Sequence, residues 1–487
     1  MTSDLIKTRF APSPTGEMHF GNVRTALFNV LAAIKEKGTF LLRLEDTDEE
    51  RSSTDFEKLL YSDLKWLGLD WQEGPDPDSN NQNNQNNQSV SGSLGENGPY
   101  RQSDRKELYK SFYQKLLDDN KAYYCFCSEE QLALSRKILR SQHLPPRYTG
   151  TCSNLSKDEV AKKIADGLKP AVRFRIPKDE AIIFNDLVKG PQSFQSNDIG
   201  DFIIIRACGT SSFMFCNAID DALMGVTHAI RGEDHLTNTP RQLMILKALG
   251  LRNPEYGHIS LIIGHDGSPL SKRNGSKSVK ALREQGYLPQ AIINYLARLG
   301  HQYEALKFSE LDGLGKNFSF MALSKSPAHY DEQHLNYWQK EAVINIYPKE
   351  FQQWLADNSC LKLCPEEKVS AFVKLMQENI SFPKEALLWA EILFTDDRKY
   401  TDEQINLFKE TGKEFFITAA QNIEKFDLKE LINYLKNEFN LSGKKLFMPV
   451  RASLTMVDHG PELVNLVDLI GVDRAKSRFE QVVELIR

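Results

Sequence analysis

Residues 7–22 read Lys7-Thr8-Arg9-Phe10-Ala11-Pro12-Ser13-Pro14-Thr15-Gly16-Glu17-Met18-His19-Phe20-Gly21-Asn22, and a second apolar run follows at Thr39 to Glu45. Lys7 to Ala11 predicts a short strand, and the Pro- and Gly-rich residues after it predict a loop. From Val23 the apolar side chains fall at Val23, Ala26, Leu27, Val30, Leu31 and Ile34, the spacing of an amphipathic helix. Gly38 suits the C-terminal stop of that helix, and Thr39 to Glu45 predicts the next strand. Strand, loop, helix and strand form the crossover that parallel strands need, so the expected class is α/β with a nucleotide-binding parallel sheet.

Working outward, 487 residues exceed what one hydrophobic core holds, because cores stop growing near ~250–300 residues. At least three domains are expected. The parallel-sheet domain is read as residues 1–105, interrupted by an insertion at 106–200 that carries a cysteine cluster. It resumes at 201–255, where Asp201 to Ile205 is strand-like and returns the chain to an α/β pattern. Residues 256–330 form a further region, and 331–487 show helical periods with few strand signals, as at Leu431, Ile432, Tyr434 and Leu435. No internal repeat is apparent. Asn80 to Gln88, within 79–93, is a run of Asn and Gln without apolar side chains, expected to be a disordered surface loop.

Hydrophobic residues at 41% and charged residues at 26% are ordinary for a soluble globular chain. The N-terminus lacks an apolar leader, and no apolar run approaches the ~18 residues of a membrane span, so the expectation is a cytoplasmic protein without a membrane partner. A net charge of −5 argues against indiscriminate nucleic-acid binding but leaves room for local basic patches. Seven cysteines are an odd set, and three lie between Cys125 and Cys152, a crowding suited to a metal in a reducing compartment.

Two stretches carry chemistry. The first is the loop ahead of the helix, where unpaired N–H groups and the helix dipole suit a polyphosphate. His19 and Asn22 can donate to phosphate oxygens, and Gly21 lacks the Cβ that would obstruct a nucleotide. The second is Leu270-Ser271-Lys272-Arg273-Asn274-Gly275, which alone reads as a basic turn. Together they provide what an adenylate-forming reaction needs, a lysine that meets the negative charge developing on pyrophosphate.

These stretches, with Leu44-Glu45-Asp46-Thr47-Asp48, Ile230-Arg231-Gly232-Glu233-Asp234-His235, Leu296-Ala297-Arg298-Leu299-Gly300 and Lys445 to Thr455, resemble the glutamyl-tRNA synthetases of bacterial type, class I enzymes. The resemblance covers nearly the whole chain. It implies a Rossmann-type catalytic domain with an inserted acceptor-end domain, a stem-contact region and an α-helical anticodon-binding region. It further implies a glutamate–tRNA ligase that forms glutamyl-adenylate from L-glutamate and ATP, with Mg2+, and passes the acyl group to tRNA for glutamate. His19, Gly21, Asn22 and Lys272 match the ATP signatures. Arg231, with Arg9 as second cation, is expected at the substrate side-chain carboxylate, and Ala11, Ser13, Glu45, Phe213 and Asn217 around the rest of glutamate. A monomer is the family's expectation.

The chain departs from the family's pattern at Pro269, where a lysine usually opens the second signature, and at Phe213, where tyrosine is usual. Competing readings are a synthetase-shaped tRNA-binding protein without catalysis and an enzyme that also charges tRNA for glutamine. The shortened relative that modifies a tRNA base is disfavoured by the ~150 residues after Tyr330, and glutaminyl-tRNA synthetase by the scarcity of strands there. Some members hold zinc with a tyrosine four residues before the last cysteine, so the resemblance implies a zinc set of Cys125, Cys127, Tyr148 and Cys152. One expectation follows from composition alone. Deleting Asn80 to Gln88 should leave thermal stability and aminoacylation nearly unchanged, because nothing in the run can join a core; a large loss of tRNA affinity on deletion would show the run to be a tRNA contact.

Overall fold

The computed structural model describes residues 5–47, 51–78, 92–270, 275, 277–396 and 399–486. The Asn/Gln run and Lys272 lie outside the described residues. The chain divides into two compact units, residues 1–284 with 292–334, and residues 285–291 with 335–487.

In the first unit, strands Lys7–Phe10 and Thr39–Leu42 pair in parallel with the helix Phe20–Lys35 as crossover. The sheet continues through His228–Gly232 and Glu255–Ile259, and its spatial order is Glu255–Ile259, His228–Gly232, Lys7–Phe10, Thr39–Leu42, all parallel. Register sets Arg231 beside His258 and Arg9 beside Leu41. The crossover helix buries Val23, Ala26, Leu27, Val30 and Leu31 as its periodicity predicts, but also Arg24, Phe28, Asn29, Ala32 and Ala33. An amphipathic stripe is therefore too narrow a description. The far side of the helix is covered too: Phe28 lies 5.8 Å from Phe318 between ring centroids, and Gly315 packs so closely on Ile34 that a Cβ there would fall 2.4 Å from its Cγ2.

Gly38 takes part in the expected helix stop, one residue beyond the left-handed turn. The left-handed conformation falls on Lys37, with φ of 51°, and the Gly38 N–H donates to the Ala33 carbonyl at 2.8 Å. Gly38 is required by close approach, since a Cβ would lie 2.0 Å from the Ile6 carbonyl oxygen.

The inserted region holds an antiparallel sheet, Ala122–Cys125, Ala171–Phe174 and Phe202–Ile205, and a hairpin, Ala181–Asp186 with Gly190–Gln195. Phe202–Ile205 thus does not return the chain to the parallel sheet. It pairs antiparallel with Ala171–Phe174, and the return is made by the helix Phe213–Leu223 that leads into His228–Gly232. Local pattern cannot decide which sheet a buried strand joins, because both offer the same apolar environment.

The second unit is helical throughout its described residues. Its helix Leu428–Phe439 buries Leu428, Leu431, Ile432 and Leu435, while Tyr434 stays at the surface beside Phe426. Arg478 is buried in this unit and donates to the carbonyls of Leu454 at 2.6 Å and Ile392 at 2.7 Å, so it serves as a tie between helices and not as a free charge. Among the described residues no helix is long and apolar enough to cross a membrane.

Candidate active site

A cavity of about 610 Å³ opens at the carboxyl ends of the parallel strands, the edge where open α/β sheets bind ligands. Arg9, Ala11, Ser13, His19, Gly21, Asn22, Glu45, Phe213, Asn217 and Arg231 all line it. The fold therefore brings together every described member of the predicted ATP and glutamate sets. Volume alone does not single it out, because a cavity of about 1060 Å³ lies elsewhere in the unit against Phe174, Lys247 and Tyr256; convergence of buried charge does.

His19 caps the helix Phe20–Lys35. Its Nδ1 accepts from the Gly21 N–H at 3.2 Å, while the Asn22 Oδ1 accepts from the His19 N–H at 3.3 Å. An accepting Nδ1 leaves the ring proton on Nε2, so the imidazole is a donor at that atom. Gly21 matters to this arrangement as well as to a nucleotide, since a Cβ would stand 3.1 Å from the His19 Cε1. The described residues on either side of the second signature, Leu270 and Ser278, are each tied to the unit. The Leu270 N–H donates to the Ile262 carbonyl at 2.8 Å, and Ser278 forms a β-bridge with His19. Pro269 bridges Ile263 at the foot of a tight turn, and Phe213 opens its helix with its ring 5.2 Å from that of His235.

Beneath the cavity floor lies a buried ionic network. The Arg9 Nε donates to both Asp221 oxygens at 3.1 and 3.2 Å, and Arg43 meets Asp221 at 2.8 Å and Glu45 at 3.3 Å. Burial would raise the Asp221 carboxyl, but Arg9 and Arg43 outweigh it and hold the group below its usual range. For Glu45 the balance is reversed: burial raises it despite Arg43 and the Asn217 amide, which donates to its Oε1 at 2.5 Å. Asp220, one residue from Asp221, accepts from Arg105 at 2.8 Å, Gln102 at 2.9 Å and Tyr109 at 2.7 Å.

Arg231 differs from these cations in its partners. Its Nη2 donates to Thr239 Oγ1 at 2.9 Å and Gln242 Oε1 at 2.6 Å, and its Nε to His258 Nε2 at 3.2 Å. Glu233 pairs instead with Lys189, and Asp234 with His235 at 3.7 Å. Among the described residues no carboxylate lies within ion-pair distance of Arg231, and its buried Nη1 has no hydrogen-bond partner. Burial lowers its pKa to about 10, which still leaves it charged at neutral pH.

Away from the cavity, the sulfurs of Cys125, Cys127 and Cys152 lie within 4.8 Å of one another. Cys127 and Cys152 sulfurs are 3.6 Å apart, and the Tyr148 Oη stands 3.5 Å from the sulfurs of both Cys125 and Cys127.

Several contributors escaped the sequence reading: Arg43, Asp221, Gln242, Thr239, Asp186 and His258. Two signals were available. Asn217 and Asp221 are one helical turn apart, as are Thr239 and Gln242, so each pair presents polar atoms on one face of a largely apolar helix.

Residues 5–337 match the family described as tRNA synthetases class I (E and Q), catalytic domain, and residues 348–483 match the anticodon binding domain. The chain is 50% identical over 479 residues to glutamate–tRNA ligase 1 of Coxiella burnetii, covering 98% of this chain and 99% of that one. It is 47% identical over 486 residues to glutamate–tRNA ligase 2 of Nitrosococcus oceani, covering 99% of each. The crystal structure of a glutamate tRNA ligase from Elizabethkingia meningosepticum in complex with its amino acid superposes with a TM-score of 0.87 at 27% identity, covering 99% of this chain and all of that one.

Proposed function

The chain belongs to the class I tRNA synthetases for glutamate and glutamine, within them to the glutamate–tRNA ligases, and on that premise we propose that Arg231 is the cation that reads the side-chain carboxylate of L-glutamate. One observation carries the reading: Arg231 lines the cavity, and its buried guanidinium has no carboxylate partner among the described residues and an unbonded Nη1. A desolvated cation in that state is costly unless an anion joins it, and a glutamate carboxylate supplies both charge and acceptor where glutamine supplies only the acceptor. Arg9, already held by Asp221, is the weaker candidate. Glu45 and Asn217, joined to each other, face the remainder of the amino acid, where a carboxylate suits an ammonium group.

In the reaction the substrate α-carboxylate attacks the ATP α-phosphate, pyrophosphate leaves, and the acyl group passes to the terminal ribose of tRNA for glutamate. The residues His19, Gly21 and Asn22, at a helix N-terminus, would receive the phosphates, and Mg2+ bound by phosphate oxygens needs no cage of protein ligands. Lys272, outside the described residues, is assigned to the pyrophosphate on the match of its signature. The inserted region is assigned to the acceptor end and the helical unit to the anticodon.

Zinc is proposed at Cys125, Cys127, Tyr148 and Cys152. Tetrahedral zinc with ~2.3 Å bonds to sulfur and ~2.0 Å to oxygen requires neighbouring sulfurs about 3.8 Å apart and sulfur–oxygen separations near ~3.5 Å. The separations of 3.6 and 3.5 Å fit it, and the Cys152 N–H donates to the Tyr148 Oη at 2.9 Å, which suits a negative phenolate oxygen. The metal would be structural, holding residues 125–152 as a clip, with no part in the chemistry.

Three outcomes are expected. Arg231→Gln should depress kcat/KM for glutamate by at least ~100-fold, about 2.7 kcal/mol, leave the KM for ATP near its original value, and narrow the preference for glutamate over glutamine; retention of efficiency and selectivity would move the role to Arg9. Lys272→Ala should slow ATP–pyrophosphate exchange by orders of magnitude with tRNA binding nearly unchanged, and a loss smaller than about tenfold, ~1.4 kcal/mol, would refute its role. Elemental analysis of purified protein should find one zinc per chain, reduced in Cys152→Ser and Tyr148→Phe; zinc absent from the unaltered protein would exclude the site.

A further inference from the structure

The hairpin of the inserted region packs along the parallel sheet, where the Leu187 N–H donates to the Tyr256 carbonyl at 2.8 Å, and one of its contacts there is a buried pair of Asp186 and His258. Asp186 ends the strand Ala181–Asp186, and its Oδ2 lies 2.5 Å from His258 Nδ1, both side chains being fully buried. Its Oδ1 accepts from the N–H groups of Val188 at 2.9 Å, Lys189 at 2.8 Å and His258 at 3.1 Å. His258 stands beside Arg231 in the sheet register, and its Nε2 faces the Arg231 Nε at 3.2 Å and the Thr239 hydroxyl at 3.1 Å.

Donor and acceptor logic settles the protons. A guanidinium only donates, so His258 Nε2 must carry a lone pair toward Arg231. The ring proton is therefore on Nδ1, and it is donated to Asp186. A neutral imidazole is consistent with the environment, because burial lowers the His258 pKa and Arg231 lowers it further, against Asp186. The Thr239 hydroxyl accepts from Arg231 Nη2 and lies 3.1 Å from His258 Nε2, where it can only share the lone pair that Arg231 Nε already uses. With Nε and Nη2 thus engaged, the plane of the guanidinium is set and the buried Nη1 is left without a partner.

We propose that Asp186 and His258 are positioning residues for glutamate recognition: Asp186 fixes the imidazole tautomer, and His258 in that tautomer holds the Arg231 guanidinium with Nη1 presented to the substrate. This rests on the assignment of Arg231 to the substrate carboxylate. It makes the inserted hairpin part of the amino-acid site, although no atom of the hairpin need touch glutamate.

Asp186→Asn is the discriminating variant. The amide oxygen can keep the backbone N–H bonds, but an NH2 group then faces His258 Nδ1. The imidazole must accept there and move its proton to Nε2, which sets two donors against each other at Arg231. ATP–pyrophosphate exchange in the presence of tRNA for glutamate should show the KM for glutamate raised at least tenfold, kcat within about threefold, and the KM for ATP and the thermal midpoint close to those of the unaltered protein. Thr239→Val, which removes the hydroxyl with little change of shape, should move the same KM in the same direction, and decides the matter if Asp186→Asn does not fold. An unchanged KM for glutamate in a folded variant overturns the proposal, as does an equal rise in the KM for ATP, which would mark a general structural role. Arg231→Gln measured in parallel separates the two levels. If it raises the KM for glutamate and Asp186→Asn does not, only the positioning role fails; if it leaves the KM unchanged, the assignment of Arg231 fails and this inference with it.

Discussion

Asp221 bound by two arginines is the constraint from which the cavity follows. A carboxylate with no solvent exposure is tolerated only when paired, and Asp221 is paired with Arg9 from the first strand and Arg43 from the end of the second. Those bonds fix the rotation of the helix Phe213–Leu223 on the sheet. Asn217, one turn earlier on that helix, then has one direction to face, and it joins the Glu45 carboxylate to the Gln242 amide, which in turn accepts from Arg231. Removal of one partner from such a network typically costs ~3–5 kcal/mol, because the remaining charge stays buried.

Within that network the cations fall into two kinds. Arg9 and Arg43 are neutralised by carboxylates of the chain and serve the fold. Arg231 is hydrogen-bonded by a hydroxyl, an amide oxygen and an imidazole, partners that direct its guanidinium without cancelling its charge. Selection of a carboxylate over an amide of the same shape needs this second kind, since a cation already satisfied would discriminate weakly. On the proposed role of Arg231, the stability given up by burying its charge would be recovered when glutamate binds, which would tie recognition to the same desolvation that makes the site costly to build.

The inserted region shares an apolar core with the helices Phe213–Leu223 and Thr239–Leu249, and it meets the hydrogen-bond network around Arg231 through Asp186. Its cysteine and tyrosine cluster gathers residues 125 to 152 through contacts among themselves, whereas Asp186, at the foot of its hairpin, is joined to His258 of the parallel sheet. A region that is separate in chain order is thereby joined to the lining of the cavity, through one bond that depends on the His258 tautomer and others, from the His258 and Leu187 N–H groups, that do not.

The strand–helix–strand opening, the loop ahead of the helix and the helical nature of the C-terminal part were legible in the sequence, because each depends on residues a few positions apart and on local periodicity. The motif matches also named the lining residues from Arg9 to Arg231. Local pattern was a poor guide wherever the outcome depended on distant chain: Phe202–Ile205 joined the antiparallel sheet, Lys37 took the left-handed turn that Gly38 was expected to take, and the crossover helix was buried on nearly all sides. Nor could sequence spacing distinguish Arg231 from Arg9. Both are arginines near the ends of parallel strands, and only the folded chain brings Asp221, 212 residues away, to Arg9 and surrounds Arg231 with Thr239, Gln242 and His258, because the partners of a buried group are chosen by how elements pack and not by the residues beside it in sequence.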